Sequence, residues 1–394
     1  MRPRALATII FMLIASGCTE TSVPAEASAS SRETTPGGFT RVSYRSVPNG
    51  PVYEFEVVVE IGRRDDVVFG RVADIELTDT NDILILDDQS SEIRRFDAFG
   101  REGERVAGPG QGPGELGRVN GFSVDRLGSI WVVDWGNLRM HEFPANGDVR
   151  THPFPVDLFY GWWEGGIVED GRLWFRESGS DLLPGPSQGG ISEGTESVYL
   201  TSPVPGSDAV DSIFLGTSPI VVFSLTRGRY SQRLPFTPQR LLSLDPSGSV
   251  WIARSDEYRL VRLDMSGDTL LLIDVEAVAP PLSERERSAE IEALEGLIGP
   301  DEGFAVDWGT VMPRSKPMIQ QIASDEHGNV WVQRASDRGT AFDVFTPEGE
   351  FLARFEGPFK PWPYSHSVVR GDRLITVLSD SLDVHTVLVL GIPR

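Results

Sequence analysis

One short pattern recurs six times along this chain, and it constrains the fold more than any other feature: a tight turn, an aliphatic residue, a Trp or large aliphatic residue, then an alternating apolar strand. The copies begin at Asn81, Gly128, Gly171, Gly248, Gly328 and Asp372, and they place Leu84, Trp131, Trp174, Trp251, Trp331 and Ile375 in phase. Three of the spacings are about 45 residues and two are nearer 80, the size of a four-stranded unit with insertions in two copies. The second unit reads as four strands, Gly121 to Asp125, Ile130 to Asp134, Arg139 to Phe143 and Val149 to Phe154, joined by turns at Leu127-Gly128 and Asn146-Gly147. The sixth unit has only three strands before the chain ends. Tyr53 to Ile61, ahead of the first full unit, is a spare strand suited to complete it and so remove an exposed sheet edge. The expectation is an all-β chain: a six-bladed β-propeller of four-stranded antiparallel blades, with the N-terminal strand closing the last blade.

Composition narrows the chemistry. The chain has 36 basic and 58 acidic residues, a formal charge of −22, so a nucleic-acid partner, which needs a basic patch, is not expected. Anionic lipid head groups are disfavoured for the same reason. Cys18 is the single cysteine, which excludes an intramolecular disulfide and a Cys-based zinc site.

Residues 1–17 read as a signal peptide: Arg2 and Arg4, an apolar run from Ala5 to Ala15 too short to span a bilayer, then Ser16-Gly17-Cys18. The run Ile14-Ala15-Ser16-Gly17-Cys18 resembles a bacterial lipobox, although leucine is usual where Ala15 stands. This implies lipidation of Cys18, with ordinary secretion after Ala25-Glu26-Ala27 as the alternative. Residues 18–50, rich in Ser, Thr, Ala, Pro and Gly, are expected to be a flexible tether, and 51–394 the propeller. The expected location is the cell envelope, lipid-anchored at the outer membrane or periplasmic face, with the membrane met only through the anchor and the chain monomeric.

The glycine-rich run from Gly108 to Gly117, followed by Val124-Asp125, Ile130 to Asp134 and Asn137-Leu138-Arg139, resembles an NHL-type repeat. Residues 53–394 as a whole are similar to the NHL/TolB-like six-bladed β-propeller lipoproteins of bacterial envelopes, a resemblance that specifies fold far better than function. Gly112, Gly114 and Gly117 also match the spacing of a dinucleotide fingerprint. That match carries nothing, since the run sits between two β units, holds Pro113 and opens no helix.

In a propeller the connections from strand two to three, and from strand four to the next blade, share one face, the channel mouth. The long excursions Gly179 to Ser197, Thr217 to Pro238 and Glu276 to Lys316 all fall there. The last contains a predicted helix, Ser283 to Leu297, with a capping serine, Glu286 at the capping-box position and Ile291, Leu294 and Leu297 on one stripe, suited to a lid or to packing on the rim. Alignment of the units places Asp74, Asn120, Glu164, Arg240, Gln320 and His366 at the mouth end of the innermost strands. Water in the channel accounts for a polar ring as readily as a ligand site does. Trp135, Trp162, Trp163, Tyr258 and Trp362, outside the in-phase position, are candidate anchors for a partner or a sugar ring. Of five histidines only His366 reaches the mouth, so a three-His zinc site is not expected.

Two functions follow. The leading one is a non-catalytic envelope propeller without a cofactor, binding a protein or glycan partner through its loop-rich face. The alternative is a Ca²⁺-dependent hydrolase or lyase like the gluconolactonase and paraoxonase propellers, with Asp74, Asn120 and Glu164 as oxygen ligands and His366 as a base. Arg240 in the same ring opposes a cation cage.

Overall fold

The computed structural model describes residues 30–63, 67–153, 163, 165–168, 171–203, 209–226, 230–245, 248–299, 302–336 and 339–393. Residues 1–17 and Cys18 lie outside this set. Six separate sheets, blades I to VI, follow one another in chain order and open with the strands Val72–Leu77, Val119–Val124, Gly165–Ile167, Arg240–Asp245, Gln321–Ser324 and Val368–Arg370. Each opening strand neighbours the next, and that of blade VI returns to that of blade I, so the six surround a common axis. The chain is a six-bladed β-propeller, as the repeat predicts.

Strand periodicity explains why the blades hold together. Successive side chains point to opposite faces, so each strand faces both neighbouring blades at once. In blade I, Ile83 and Ile85 join a core with Ile375 and Val377 of blade VI, while Leu84 and Leu86 join another with Val119 and Val132 of blade II. Six such inter-blade cores close the ring. The in-phase position turns toward the following blade in every copy: Trp174 enters the core shared with blade IV, Trp251 that with blade V and Trp331 that with blade VI. The turn before the strand holds two of these indoles. The Asp125 carboxylate accepts from the Leu127 and Ser129 amides and from Trp131 Nε1 at 3.0 Å. Asp325 does the same for His327, Asn329 and Trp331 Nε1, also at 3.0 Å. One aspartate thus satisfies the turn and the only polar atom of the packing tryptophan.

The N-terminal segment differs from its expected form. Residues 30–50, assigned to a flexible tether, contain the strands Ser30–Thr34 and Thr40–Tyr44, the second pairing parallel with the outer strand of blade IV. Val52–Glu54 then pairs parallel with the outer strand of blade V, and Glu56–Ile61 pairs antiparallel with His385–Gly391 to complete blade VI. The chain is a belt across the rims of three consecutive blades. Val42 and Tyr44 hold it by burial, each contributing about 1.5–3 kcal/mol. The Tyr44 hydroxyl donates to Gly349 O at 2.8 Å and accepts from the Phe351 amide at 3.0 Å, stitching the blade IV belt strand to blade V. The expected closing strand, Tyr53 to Ile61, is therefore two strands on two blades.

The blades are also less uniform than four strands each. Blade I has three strands plus single bridges from Ile93 to Ala107 and from Phe96 to Glu102. Blade III carries a hairpin of Gly190–Pro203 and Val210–Ser224, so most of the excursions expected at 179–197 and 217–238 are strand. Because Phe175 pairs with both Gly165 and Thr201, residues 190–197 and 217–224 run past the inner strand on the mouth side.

Candidate functional site

The insertion between blades IV and V builds onto that overhanging hairpin. Its neck is closed by a bridge between Pro281 and Ser315 and by bonds joining Leu282 to Arg314 and Lys316 to Pro280. Helix α1, Glu284–Glu295, starts as predicted: the Ser283 hydroxyl accepts from the Glu286 amide, and the Glu286 carboxylate accepts from the Ser283 amide. Lys316 Nζ donates to Glu286 at 2.6 Å, and this bond, with those from Ser283, pulls the Glu286 carboxyl down to about 2. Leu294 of α1 and Trp308 of the short helix α2, Trp308–Val311, bury against Phe223 and Leu234 of blade III, with Ile291 and Phe304 at the margin. Leu297, expected on this stripe, is 41% exposed because the helix ends at Glu295 and the chain turns away. The insertion is thus a lobe that shares its core with blade III and is anchored there at the mouth.

Across the mouth, the loop from blade V to blade VI carries Trp362, Tyr364 and His366. Tyr364 is 73% exposed, and crowding at the mouth, then the charge of Glu290 on α1 and the phenol of Tyr230, raises its pKa. Glu290 of the lobe and Tyr230 beside blade III thus lie within electrostatic reach of this ring. His366 Nε2 lies 3.2 Å from Asp74 Oδ1. The buried Asp74 carboxylate accepts from the Ile75 and Phe122 amides, each at 2.9 Å, yet burial outweighs these bonds and pushes it up to about 7. Glu76, two residues along the same strand face, is also pushed up to about 7, by burial and then by Asp74, with His366 and Arg370 opposing. Two carboxyls that hold protons near neutrality beside a half-exposed imidazole can exchange protons with a bound molecule or donate hydrogen bonds to it.

The structure brings only part of the expected ring together. Register places Asp74 opposite Leu86 in blade I and Gly121 opposite Val133 in blade II, so Gly121, not Asn120, is equivalent to Asp74. Both blades carry the same bulge just beyond this position, between Val72 and Asp74 and between Val119 and Gly121, so Asn120 falls on the bulge and is the counterpart of Ala73. Gly121 has φ +145°, and a Cβ there would come within 3.0 Å of Asp74 Oδ2, so the glycine makes room for the carboxylate. Asn120 is buried and its carbonyl accepts from the Trp163 amide at 2.7 Å. In blade V the equivalent residue is Gln321, opposite Gln333, rather than Gln320, whose Oε1 accepts from Gln333 Nε2 at 3.2 Å. Arg240 opens its strand at the mouth end opposite Arg254, but it too is one position out, since Leu241, opposite Ala253, is the residue equivalent to Asp74. Glu164 and Trp162 lie outside the described residues.

Two expected surface aromatics are core residues. Trp163 is buried, stacks on Phe175 at 5.4 Å and donates to Trp174 O at 2.9 Å, wedged between blades II and III. Tyr258 is buried between blades IV and V, its hydroxyl donating to Asp343 at 2.6 Å. Both carry a polar tip that finds a buried partner, which a reading from position alone does not reveal. Trp135 lies beneath the Arg118 guanidinium at 4.6 Å, and Trp362 packs on His385 at 4.3 Å. Tyr364, absent from the expected set, is the aromatic most open at the mouth among the described residues. The clue was its place in Pro361-Trp362-Pro363-Tyr364-Ser365-His366, two residues from His366.

The Ca²⁺ reading has a poor donor set. Both Asp74 oxygens already accept backbone amides, Asn120 sits outside the ring position, and among the described residues no group of three or more His, Cys, Asp and Glu is arranged to hold a metal. No described helix is long and apolar enough to cross a membrane.

A family model described as a 6-bladed beta-propeller matches residues 58–159. No curated protein matches the sequence. Among solved structures, a member of the DUF4221 family from Bacteroides vulgatus is 10% identical with a TM-score of 0.45, over 86% of this chain and 99% of that one. A streptogramin B lyase is 12% identical with a TM-score of 0.43, over 86% and 98%. A gluconolactonase from Xanthomonas campestris is 14% identical with a TM-score of 0.39, over 89% and 100%. None of these likenesses assigns a ligand or a reaction to this chain.

Proposed function

We propose that this chain is an envelope propeller, tethered through a lipidated Cys18, that binds a glycan partner at the lobed mouth of its channel without turning it over. The observation that supports this most is the placement at the mouth of an exposed tyrosine, a carboxyl–imidazole pair and an insertion packed on blade III. A sugar ring needs an apolar face to stack on and polar groups for its hydroxyls. Tyr364 offers the first, and Asp74 and His366 the second. The experiment is isothermal titration of oligosaccharides chosen by glycan array, against wild type and Tyr364→Ala. Tyr364 is too exposed to matter for folding, so binding should weaken at least tenfold with an unchanged melting temperature. Absence of glycan binding by the wild type, or equal affinity in the variant, rejects the reading. For the tether, Cys18→Ala should abolish labelled-palmitate incorporation and release the chain from membranes.

A second reading, hydrolase or lyase chemistry, draws on the 3.2 Å contact between His366 and Asp74. The pair can relay a proton from a bound hydroxyl. Turnover of a captured glycan that is lost in His366→Ala, with binding retained, would favour it.

A further inference from the structure

Blade IV lies opposite blade I in the ring, and Arg240, at the mouth end of its opening strand, turns its guanidinium toward Gly216 and Thr217 of blade III. Its surroundings are unusual for a chain with 22 more acidic than basic residues. Arg240 Nη2 donates to Thr217 O at 2.6 Å, while Nε is enclosed and has no acceptor. Three carboxylates stand near enough to act on it, Glu196, Asp256 and Glu257. Each is engaged elsewhere. Glu196 accepts from Arg233 at 2.7 Å, Asp256 from Arg254 at 2.6 Å, and Glu257 from Arg254 and Arg259. Arg254 stands directly across the strand pair from Arg240, and Arg176 Nη2 reaches the Arg240 carbonyl at 3.4 Å, so two further cations crowd the same corner. Gly216, at φ +108°, lies against the guanidinium, where a Cβ would come within 2.7 Å of Nη2.

An enclosed guanidinium N–H with no acceptor costs free energy unless something supplies one. Burial and the charge of Arg254 both lower the Arg240 pKa. Nearby acids could have been placed to neutralise it, and instead they neutralise its neighbours. We infer that Arg240 is a carboxylate-binding subsite where blades III and IV meet at the channel mouth, so that the ligand carries a carboxylate there. This rests on the mouth being the binding face, and it narrows the glycan to an acidic one of the uronate class.

The test follows the side-chain Nε–H resonance of Arg240 in ¹⁵N-arginine-labelled full-length protein during titration with sodium acetate, with sodium chloride and sodium phosphate as controls at constant ionic strength. Acetate should move the signal saturably, chloride should not, and D-glucuronate should act more strongly than acetate while D-glucose has no effect on this signal. Arg240→Gln should weaken glucuronate binding at least tenfold, and Arg240→Lys should restore part of it. Removing a cation whose enclosed Nε lacks an acceptor should also leave the melting temperature of Arg240→Gln equal to or above wild type, whereas a structural arginine would lower it. No saturable response to acetate, a stronger response to phosphate, or a lowered melting temperature in Arg240→Gln overturns the inference. Loss of glycan capture in Tyr364→Ala concerns the binding face and leaves the acetate response intact, so the two proposals fail separately.

Discussion

Asp343 in blade V and Asp74 in blade I are both buried carboxylates, and their neighbourhoods are opposite. Arg334 Nε and Arg354 Nε each donate to Asp343 at 2.7 Å, from the strands on either side, and Tyr258 adds its hydroxyl from blade IV. Asp74 receives two backbone amides and faces a single imidazole that is itself half-exposed. Where a buried charge is surrounded by fixed opposite charge, it holds the fold. A buried carboxyl left short of compensation holds its proton to higher pH and remains available to a ligand. The contrast separates two residues that sequence alone presents as the same kind of aspartate.

The largest effect expected from this contrast is at Asp343. Asp343→Ala leaves two part-buried guanidinia and a buried phenol without their acceptor, and should cost about 3–5 kcal/mol in urea unfolding. A loss below about 1 kcal/mol would break the comparison.

Next comes the pH dependence of Asp74. Its carboxyl is raised from 3.8 to about 7, so between these values the folded protein keeps a proton that the unfolded chain has released. Stability from this site is therefore complete below about pH 4 and declines as pH rises through about 7. Asp74→Asn removes the titration. The stability of the variant relative to wild type should swing in its favour by about 2–4 kcal/mol between pH 4 and pH 8, at about 1.4 kcal/mol per pH unit. A pH-independent difference would place Asp74 with Asp343 as a structural group.

Smaller changes sharpen the same division at the lobe. Ser283→Ala removes the α1 cap and should cost about 1 kcal/mol, seen as faster amide exchange in the first turn of that helix. Tyr364→Ala should change stability by less than about 0.5 kcal/mol, a surface effect only, and so isolate binding from folding.

Much of the fold was legible because a period of two and a turn-linked tryptophan are local signals. The closing strand of blade VI was legible for the same reason, as Glu56–Ile61 alternates visibly. Thr40–Tyr44 was missed because only Val42 and Tyr44 are apolar there, too short a run to stand out among serines and threonines. At the site, Asp74 and His366 were found together at the mouth, while Asn120, Arg240 and Gln320 were each one residue out of register. Counting back from the in-phase residue by the same interval that separates Leu84 from Asp74 reaches Gly121 and Gln321, neither of which stands out as a ligand-binding residue in the sequence.

What the sequence determined by itself was the repeat: six units, the face to which their insertions belong, and the cap that starts α1, each set by residues within a few positions of one another. Tertiary structure decided which polar groups are compensated. Whether Asp74 keeps a proton, whether Arg240 lacks an acceptor, and whether Tyr258 is buried all depend on partners from other blades, dozens to hundreds of residues away. Burial and charge pairing are properties of that three-dimensional neighbourhood, and only the closed ring of blades creates it.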